Sequence, residues 1–185
     1  MNKIAIIGTA GRDRTKPMTR DLWLWMIEDA TRRIPKGAHL VSGGAAWADH
    51  LAVELFRIEH AAKLTLHLPA PLGIQGFNGP SKSAATAANY YHSLFGQVIG
   101  RNTVKDIIQS VACSECNYTT EPEAPGYGAM FARNAKVART ADELLAYTFG
   151  PGGVPADGGT KNTWDQFAQL HRSYVRTHVS LPILS

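Results

Sequence analysis

The sequence predicts an α/β fold: an open parallel sheet with helices on both faces and a mostly helical insertion after the third strand. Short apolar segments alternate with amphipathic helical segments, as parallel strands and their crossover helices do. Glycine-rich turns follow several of the predicted strands. The chain has 185 residues, which suits one domain, since domains commonly hold about 100 to 200 residues. We therefore expect a single domain over residues 1–185.

The first part of the chain is predicted to hold three strands with two helices between them. Residues 3–7 form a continuous apolar run, which is typical of a buried parallel strand. The first helix begins after Thr19, a suitable N-cap, and ends at Pro35. Strands are predicted at residues 39–41 and 64–68. The helix between these two strands has an apolar inner face formed by Leu51, Ala52, Leu55 and Phe56.

An insertion covers about residues 70–128 and interrupts the alternation of strands and helices. It is too long to be a bare loop in a compact domain, so it must contain structure. Helices are predicted over residues 83–95 and 103–110. An irregular segment is expected over residues 113–127.

The alternation returns in the last third of the chain. A helix is predicted over residues 129–139, followed by a strand over 143–149 and a glycine-rich loop. Another helix begins near Thr160, and the last strand is predicted over residues 177–181. The complete order of elements is Rossmann-like.

The composition narrows the possible classes of function. Hydrophobic residues make up 44% of the chain and charged residues 18%, below the roughly 25% of an average domain, which argues against intrinsic disorder. Every apolar run is far shorter than the roughly 20 residues that cross a bilayer, and the amino terminus does not resemble a signal peptide. We therefore expect a cytoplasmic protein with no membrane partner.

The net charge of +4 makes nucleic acid a possible partner. The basic residues are scattered, however, apart from short clusters such as Arg12, Arg14 and Lys16. Solvation explains most of them, so nucleic acid is possible but disfavoured.

The two cysteines, Cys113 and Cys116, are too few for a disulfide framework, which agrees with a reducing compartment. Their spacing is half of a zinc pattern, but a structural zinc needs four ligands and no second pair occurs. No metal is predicted, and zinc completed by distant histidines is the open alternative.

Three glycine-rich turns, at residues 8–12, 42–45 and 150–160, each follow a predicted strand. In an open parallel sheet these strand ends share one edge, where ligands bind at a topological switch point. Glycine lets the backbone approach an anion, and helix N-termini present free N–H groups. Phosphate is therefore the predicted ligand. Neither the GxGxxG nor the Walker pattern occurs, which disfavours ordinary NAD-binding enzymes and P-loop NTPases.

The candidate ligand-binding residues lie in and beside these turns. They are Gly8, Thr9, Gly11, Arg12, Ser42, Gly43, Gly44, Asp49, Gly158, Gly159 and Thr160. We expect phosphate oxygens on the backbone N–H groups of the second and third turns, where two helices are predicted to begin.

Three side chains near the turns can be interpreted either as ligand-binding groups or as structural or solvent-exposed ones. Arg12 either binds phosphate with two donors or is an exposed loop arginine. Asp49 either orients a ribose hydroxyl or a general base, or stabilises the start of a helix. Asp157 supports the glycine loop or reaches a ligand hydroxyl, or it is a solvated acid.

Four short motifs are Ser42-Gly43-Gly44-Ala45 with Asp49, Arg133-Asn134 on a helix, Ala141-Asp142 before a strand, and Gly158-Gly159-Thr160. Together they resemble the SLOG superfamily. Within it, the YspA-like (YpsA-related) branch has the most similar short motifs. The superfamily also includes the lonely-guy phosphoribohydrolases, the DNA-processing protein DprA and sensors of nucleotide-derived signals. The resemblance covers roughly residues 3–68 and 129–181. It implies nucleotide binding, with Arg133 and Asn134 at the ligand.

The resemblance to the phosphoribohydrolases is incomplete. That family has a methionine and an arginine on a helix ahead of a PGGxGTxxE loop, and its arginine and glutamate are needed to cleave the N-glycosidic bond of a nucleoside monophosphate. Met130 and Arg133 match the helix, and Gly159 and Thr160 match the end of the loop. Thr163 occupies the position of the glutamate. The key carboxylate is therefore missing.

A second departure lies in the turn after the second strand, where Trp47 replaces the usual glycine. We expect this ring to crowd or stack against whatever enters the site. The insertion, from residue 76 to 128, is expected to cover the mouth of the pocket. Within it, Tyr90, Tyr91, His92 and Phe95 either form a base-stacking wall or pack in the interior.

The leading hypothesis is a sensor or sequestering protein that binds a nucleotide or nucleotide-derived molecule at the carboxyl edge of the sheet. It needs no cofactor and is expected to be a homo-oligomer. The alternative is an enzyme acting at an N-glycosidic bond, a nucleoside 5′-monophosphate phosphoribohydrolase or a deoxyribosyltransferase-like protein. Arg133 and Asp49 would then be its catalytic residues.

Overall fold

The computed structural model describes residues 2–155, 158–171 and 175–184. Strands within these ranges form one parallel sheet. They are β1 (Lys3–Gly8), β2 (Ala38–Ser42), β3 (Ala61–Leu68), β4 (Cys116–Thr120), β5 (Glu143–Thr148) and β6 (Arg176–Ser180). Their spatial order is β4-β3-β2-β1-β5-β6, so the direction in which the chain crosses the sheet reverses beside β1.

Helices cover both faces of the sheet. They are α1 (Arg20–Arg33), α2 (His50–Arg57), α3 (Ala84–Ile99), α4 (Thr103–Val111), α5 (Gly128–Thr140) and α6 (Gly159–Leu170). Successive side chains of a strand point to opposite faces. Accordingly, Ile6 packs in the core beneath α1 to α4, whereas Ala5 and Ile7 pack beneath α5 and α6. The predicted Rossmann-like α/β fold is confirmed. Within the described residues, no helix has the length and apolar character needed to cross a membrane.

The insertion after β3 contains the two predicted helices, α3 and α4, and also a strand that the sequence did not indicate. The segment 113–127 was expected to be irregular, but β4 lies within it and pairs in parallel with β3. The strand occupies the edge of the sheet, and only Cys116 of its five residues is buried. An edge strand of this kind has no apolar run, so its sequence lacks the usual signal.

Trp47 lies in the core, so the expectation that it would meet the ligand was wrong. Its side chain is 3% exposed and packs against Phe95, with ring centroids 4.4 Å apart. Its φ is +64°, a left-handed conformation that costs a non-glycine residue about 1–2 kcal/mol. The resemblance associates this position with glycine, and the backbone has the conformation that glycine adopts easily. Burial of the large indole offsets the strain.

His92 joins α3 to the turn after β2. Its Nε2 lies 2.9 Å from the carbonyl oxygen of Gly44, and its Nδ1 lies 2.9 Å from the hydroxyl oxygen of Thr103. Burial lowers the pKa of His92 to about 3, and burial also lowers the pKa of His67 to about 4. Both rings are therefore neutral in the folded protein near pH 7.

These two histidines predict a loss of stability in mild acid. An unfolded histidine titrates near pH 6.5, so below that pH the unfolded chain binds more protons than the folded one. The free energy of unfolding should fall as the pH decreases from 6.5 towards 4, by up to about 1.4 kcal/mol per pH unit for each histidine. Urea unfolding at several pH values measures this slope. His92→Gln retains a donor for Gly44 but does not titrate, so it should make the slope shallower. An equally steep slope in this variant would contradict the assignment.

Candidate ligand-binding site

A cleft of about 590 Å³ opens at the carboxyl end of β1, beside the point where the strand order reverses. This is the place where open α/β sheets bind ligands, and the volume lies within the usual range of about 300–1,000 Å³ for small-molecule sites. Many of the predicted residues line it: Gly8, Thr9, Arg12, Asp49, Arg133, Asn134, Gly158, Gly159 and Thr160. Ser42, Gly43, Gly44 and Gly11 are not among the described lining residues.

Arg133 projects from α5 into the floor of the cleft. The residue is 8% exposed, and its Nη1 donates to the carbonyl oxygen of Gly43 and lies 3.4 Å from Oδ2 of Asp49. Its Nε is buried and has no hydrogen-bond partner in the described part of the chain. A buried donor without a partner costs about 1–3 kcal/mol. Arg133 also lines the cleft, so its guanidinium gives the cleft a positive charge that favours an anionic ligand.

Asp49 joins the last residue of β1 to Arg133. Its Oδ1 accepts the backbone N–H of Gly8 at 3.2 Å, and its Oδ2 faces the Arg133 guanidinium. Burial raises the pKa of Asp49, and the charge of Arg133 opposes this rise. Burial likewise lowers the pKa of Arg133. The Asp49 carboxylate makes no side-chain cap at α2, so it does not stabilise the start of that helix as the sequence suggested. Its structural role is instead the link between Gly8 and Arg133.

The N-terminus of α6 forms another wall of the cleft. Gly158, its N-cap, has φ +114° and ψ −161°, a region that is essentially restricted to glycine. Glycine has no side chain, so the N-cap residue itself cannot cap this 12-residue helix. The first N–H groups of a helix lack intrahelical partners and lie at the positive end of its dipole, which favours an anion. Asn134 supports the turn, since its Nδ2 donates to the carbonyl oxygen of Gly159 at 3.3 Å.

Thr163, the residue that the resemblance aligns with a glutamate, lies one turn further along α6. It lines the cleft but is only 2% exposed, and its hydroxyl donates to the carbonyl oxygen of Gly159 at 3.1 Å. The side chain at this position in the cleft is therefore a threonine that bonds to the helix backbone.

The turn after β2 supports the site from behind. The hydroxyl of Ser42 donates to the carbonyl oxygen of Asp49 at 2.7 Å and accepts the N–H of Gly44 at 3.1 Å. The N–H of Gly43 bonds to the Asp49 carboxylate, and its carbonyl accepts from Arg133. A helix was expected to open at this turn, but α2 begins only at His50, after a short 3-10 turn. The expected phosphate contacts to Gly43 and Gly44 are therefore not favoured, because internal bonds use both N–H groups.

Gly11 likewise shapes a loop rather than the cleft wall. Its N–H donates to Oγ1 of Thr9 at 3.2 Å, and its φ is +73°. A Cβ at this position would lie 2.9 Å from Nε1 of Trp47. Glycine is needed here so that the loop after β1 can lie against the indole.

Arg12 lies over the cleft on the same loop. Its guanidinium carbon is 5.0 Å from the ring centroid of Tyr91, and its Nη2 is 3.3 Å from Sδ of Met130. It forms no ion pair with any residue in the described ranges. Arg12 therefore keeps a positive charge that no carboxylate of the described residues pairs with.

Aromatic side chains stand at the mouth of the cleft. Tyr127 and Phe131 line it and are 52% and 55% exposed. Sequence reasoning missed Phe131, although an exposed aromatic two residues before Arg133 on the same helix was the available signal. The insertion reaches the cleft through Tyr127, whereas His92 and Phe95 are buried in the interior.

Few acidic groups reach the cleft. Asp13 and Asp49 are the carboxylates among the described lining residues, and Asp157 lies outside the described residues. Hydrogen bonds from the side chain and backbone of Thr15 lower the pKa of Asp13. The described chain contains no group of three or more His, Cys, Asp or Glu side chains that could hold a metal. Cys113 is exposed, and burial raises the pKa of Cys116 to about 12.

Comparison with known proteins finds distant similarities in sequence and in structure. No family model matches the chain. An uncharacterized protein of Acanthamoeba polyphaga mimivirus is 27% identical over 190 residues, which is 97% of this chain and 98% of that protein. Among solved structures, DNA processing protein A from Helicobacter pylori, described for its single-stranded DNA binding mode, superposes with a TM-score of 0.50 at 21% identity. That comparison covers 94% of this chain but only 63% of the other, and it shows a shared fold.

Proposed function

We propose that the protein binds a nucleotide or nucleotide-derived molecule in this cleft, as a sensor or sequestering protein, and that the phosphate lies between Arg133 and the start of α6. The observation that carries the proposal is the buried Arg133, which lines the cleft and whose Nε has no partner among the described residues. The N-terminus of α6, which its N-cap glycine leaves without a side-chain cap, adds N–H donors to the same cleft.

The aromatic mouth supports a nucleotide rather than a bare phosphate. Tyr127 and Phe131 offer exposed rings in the same cleft that Arg12 and Arg133 line. A base can stack on an aromatic side chain, which contributes about 1–3 kcal/mol. A ligand with a flat apolar part and an anionic part fits this combination of groups.

A second candidate function is the cleavage or transfer of an N-glycosidic bond. It is favoured by one observation: Asp49 lies in the cleft and burial raises its pKa, as a general acid requires. Against it, Gly8 and Arg133 already engage the Asp49 carboxylate, and Thr163 takes the position of the glutamate. Binding without turnover is therefore the better-supported function.

Calorimetric titration with the four ribonucleoside 5′-monophosphates and their nucleosides tests the proposal. We expect at least one monophosphate to bind with 1:1 stoichiometry and at least 10-fold more tightly than its nucleoside, because the cationic floor recognises the phosphate. Chromatography of the same samples should detect no free base. Base release that Asp49→Asn abolishes would instead establish the enzyme.

An oligothymidylate titrated at about 0.1 M salt separates mononucleotide binding from nucleic-acid binding. The shared fold with DNA processing protein A makes this control necessary, and phosphate-dominated binding weakens steeply with salt. Binding of the oligonucleotide together with no binding of any monophosphate would overturn the proposal.

A further inference from the structure

We infer that Tyr91 positions Arg12 as the second cation of the proposed nucleotide site, and this inference rests on the proposed function. Tyr91 belongs to α3 in the insertion, whereas Arg12 belongs to the loop after β1. The two residues are 79 positions apart in sequence, yet the guanidinium carbon lies 5.0 Å from the ring centroid. A cation within about 6 Å of an aromatic centroid is attracted to the ring face.

Two side chains from different helices contact the guanidinium of Arg12. Tyr91 provides the ring, and Met130 on α5 places its sulfur 3.3 Å from Nη2. Tyr91 is itself held, since it is half-buried and packs against the main core. An otherwise exposed arginine is therefore fixed over the cleft before any ligand arrives.

The charges in the site indicate what the positioned Arg12 does. Arg133 is paired with Asp49, whereas Arg12 has no ion-pair partner among the described residues. Arg12 thus supplies the uncompensated positive charge that distinguishes a phosphate-bearing ligand from its nucleoside. An arginine has many rotamers, and holding it in place reduces the entropy lost when the ligand orders it.

Tyr91 acts through Arg12 and not by touching the ligand. It is absent from the lining of the main cleft and borders instead a recess of about 20 Å³ between α3 and Arg12. A recess of that size holds at most about one water molecule. Tyr91 is thus a positioning residue for phosphate specificity, which neither sequence interpretation of this ring anticipated.

The test compares Tyr91→Leu, Tyr91→Phe and Tyr90→Leu by calorimetry. The probe is whichever of the four ribonucleoside 5′-monophosphates the wild type binds most tightly, with its nucleoside as the comparison. Tyr91→Leu removes the ring face and should weaken monophosphate binding about two- to fivefold while leaving nucleoside binding as it is. Tyr91→Phe should restore most of the lost affinity. Tyr90 is exposed and meets Tyr91 edge to face, with ring centroids 5.2 Å apart, so Tyr90→Leu is the matched control and should bind like the wild type.

A double-mutant cycle with Arg12→Ala distinguishes positioning from a general structural effect. In the Arg12→Ala background, Tyr91→Leu should weaken binding no further, because the cation that it positions is gone. Equal losses in both backgrounds, or wild-type affinity in Tyr91→Leu, would overturn the inference while the proposed function stands. If the wild type binds none of the four monophosphates, the proposed function fails and this inference fails with it.

Discussion

Arg133→Ala is expected to abolish most nucleotide binding and to destabilise the protein. The variant removes donors that would make charge-assisted hydrogen bonds with a phosphate, so affinity should fall about 10- to 150-fold. It also leaves Asp49 buried and without its cation. Removing one partner of a buried ion pair typically costs about 3–5 kcal/mol of stability. Urea unfolding and calorimetry measure the two effects separately.

A second variant separates these effects and keeps the prediction testable if the first folds poorly. Adding Asp49→Asn to Arg133→Ala removes the unpaired charge and retains an acceptor for the N–H of Gly8. The double variant should regain a large part of the lost stability but none of the lost binding. Nucleotide affinity within twofold of the wild type in either variant would show that the phosphate does not lie on Arg133.

Gly158→Ala is expected to weaken binding by moving the start of α6. The N-cap φ of +114° is strained for any residue with a Cβ, at a cost of about 1–3 kcal/mol. A Cβ would meet no atom of the described residues within 4 Å, so the strain that they reveal lies in the backbone and not in a clash. Relief of this strain should turn the N–H groups of Gly159 and Thr160 away from the ligand. Affinity measured by calorimetry should fall about fivefold or more.

Gly152→Ala is the matched control for that variant. Gly152 has φ +113° and no atom within 4 Å of an added Cβ, but it is not among the residues that line the cleft. Both variants should lower the midpoint of thermal unfolding, and only Gly158→Ala should lower affinity. Equal affinities in the two variants would argue that the start of α6 does not bind the ligand.

The sequence was sufficient to predict the fold and the start of α6. The apolar run of β1 and the alternation of strands with amphipathic helices are local patterns, and they place glycine turns at one sheet edge. Gly158, Gly159 and Thr160 lie at the end of the loop that connects β5 to α6, so the order of elements was enough to predict their place beside the cleft. The motif match also indicated Arg133.

The role of the turn after β2 was not accessible from the sequence. The partners of this turn come from three separate elements: Asp49 before α2, Arg133 on α5 and His92 on α3. No local pattern predicts that internal bonds will use the N–H groups of Gly43 and Gly44. The same reason applies to Trp47 and Tyr91, whose neighbours are distant in sequence.

The most direct test of the phosphate site is a crystal structure of the wild-type protein with the tightest-binding ribonucleoside 5′-monophosphate. We expect a phosphate oxygen within hydrogen-bond distance of Nε of Arg133. Other phosphate oxygens should accept from the backbone N–H groups at the start of α6, and the guanidinium of Arg12 should face the phosphate. A phosphate that instead contacts the N–H groups of Gly43 and Gly44, or lies outside the cleft, would contradict it.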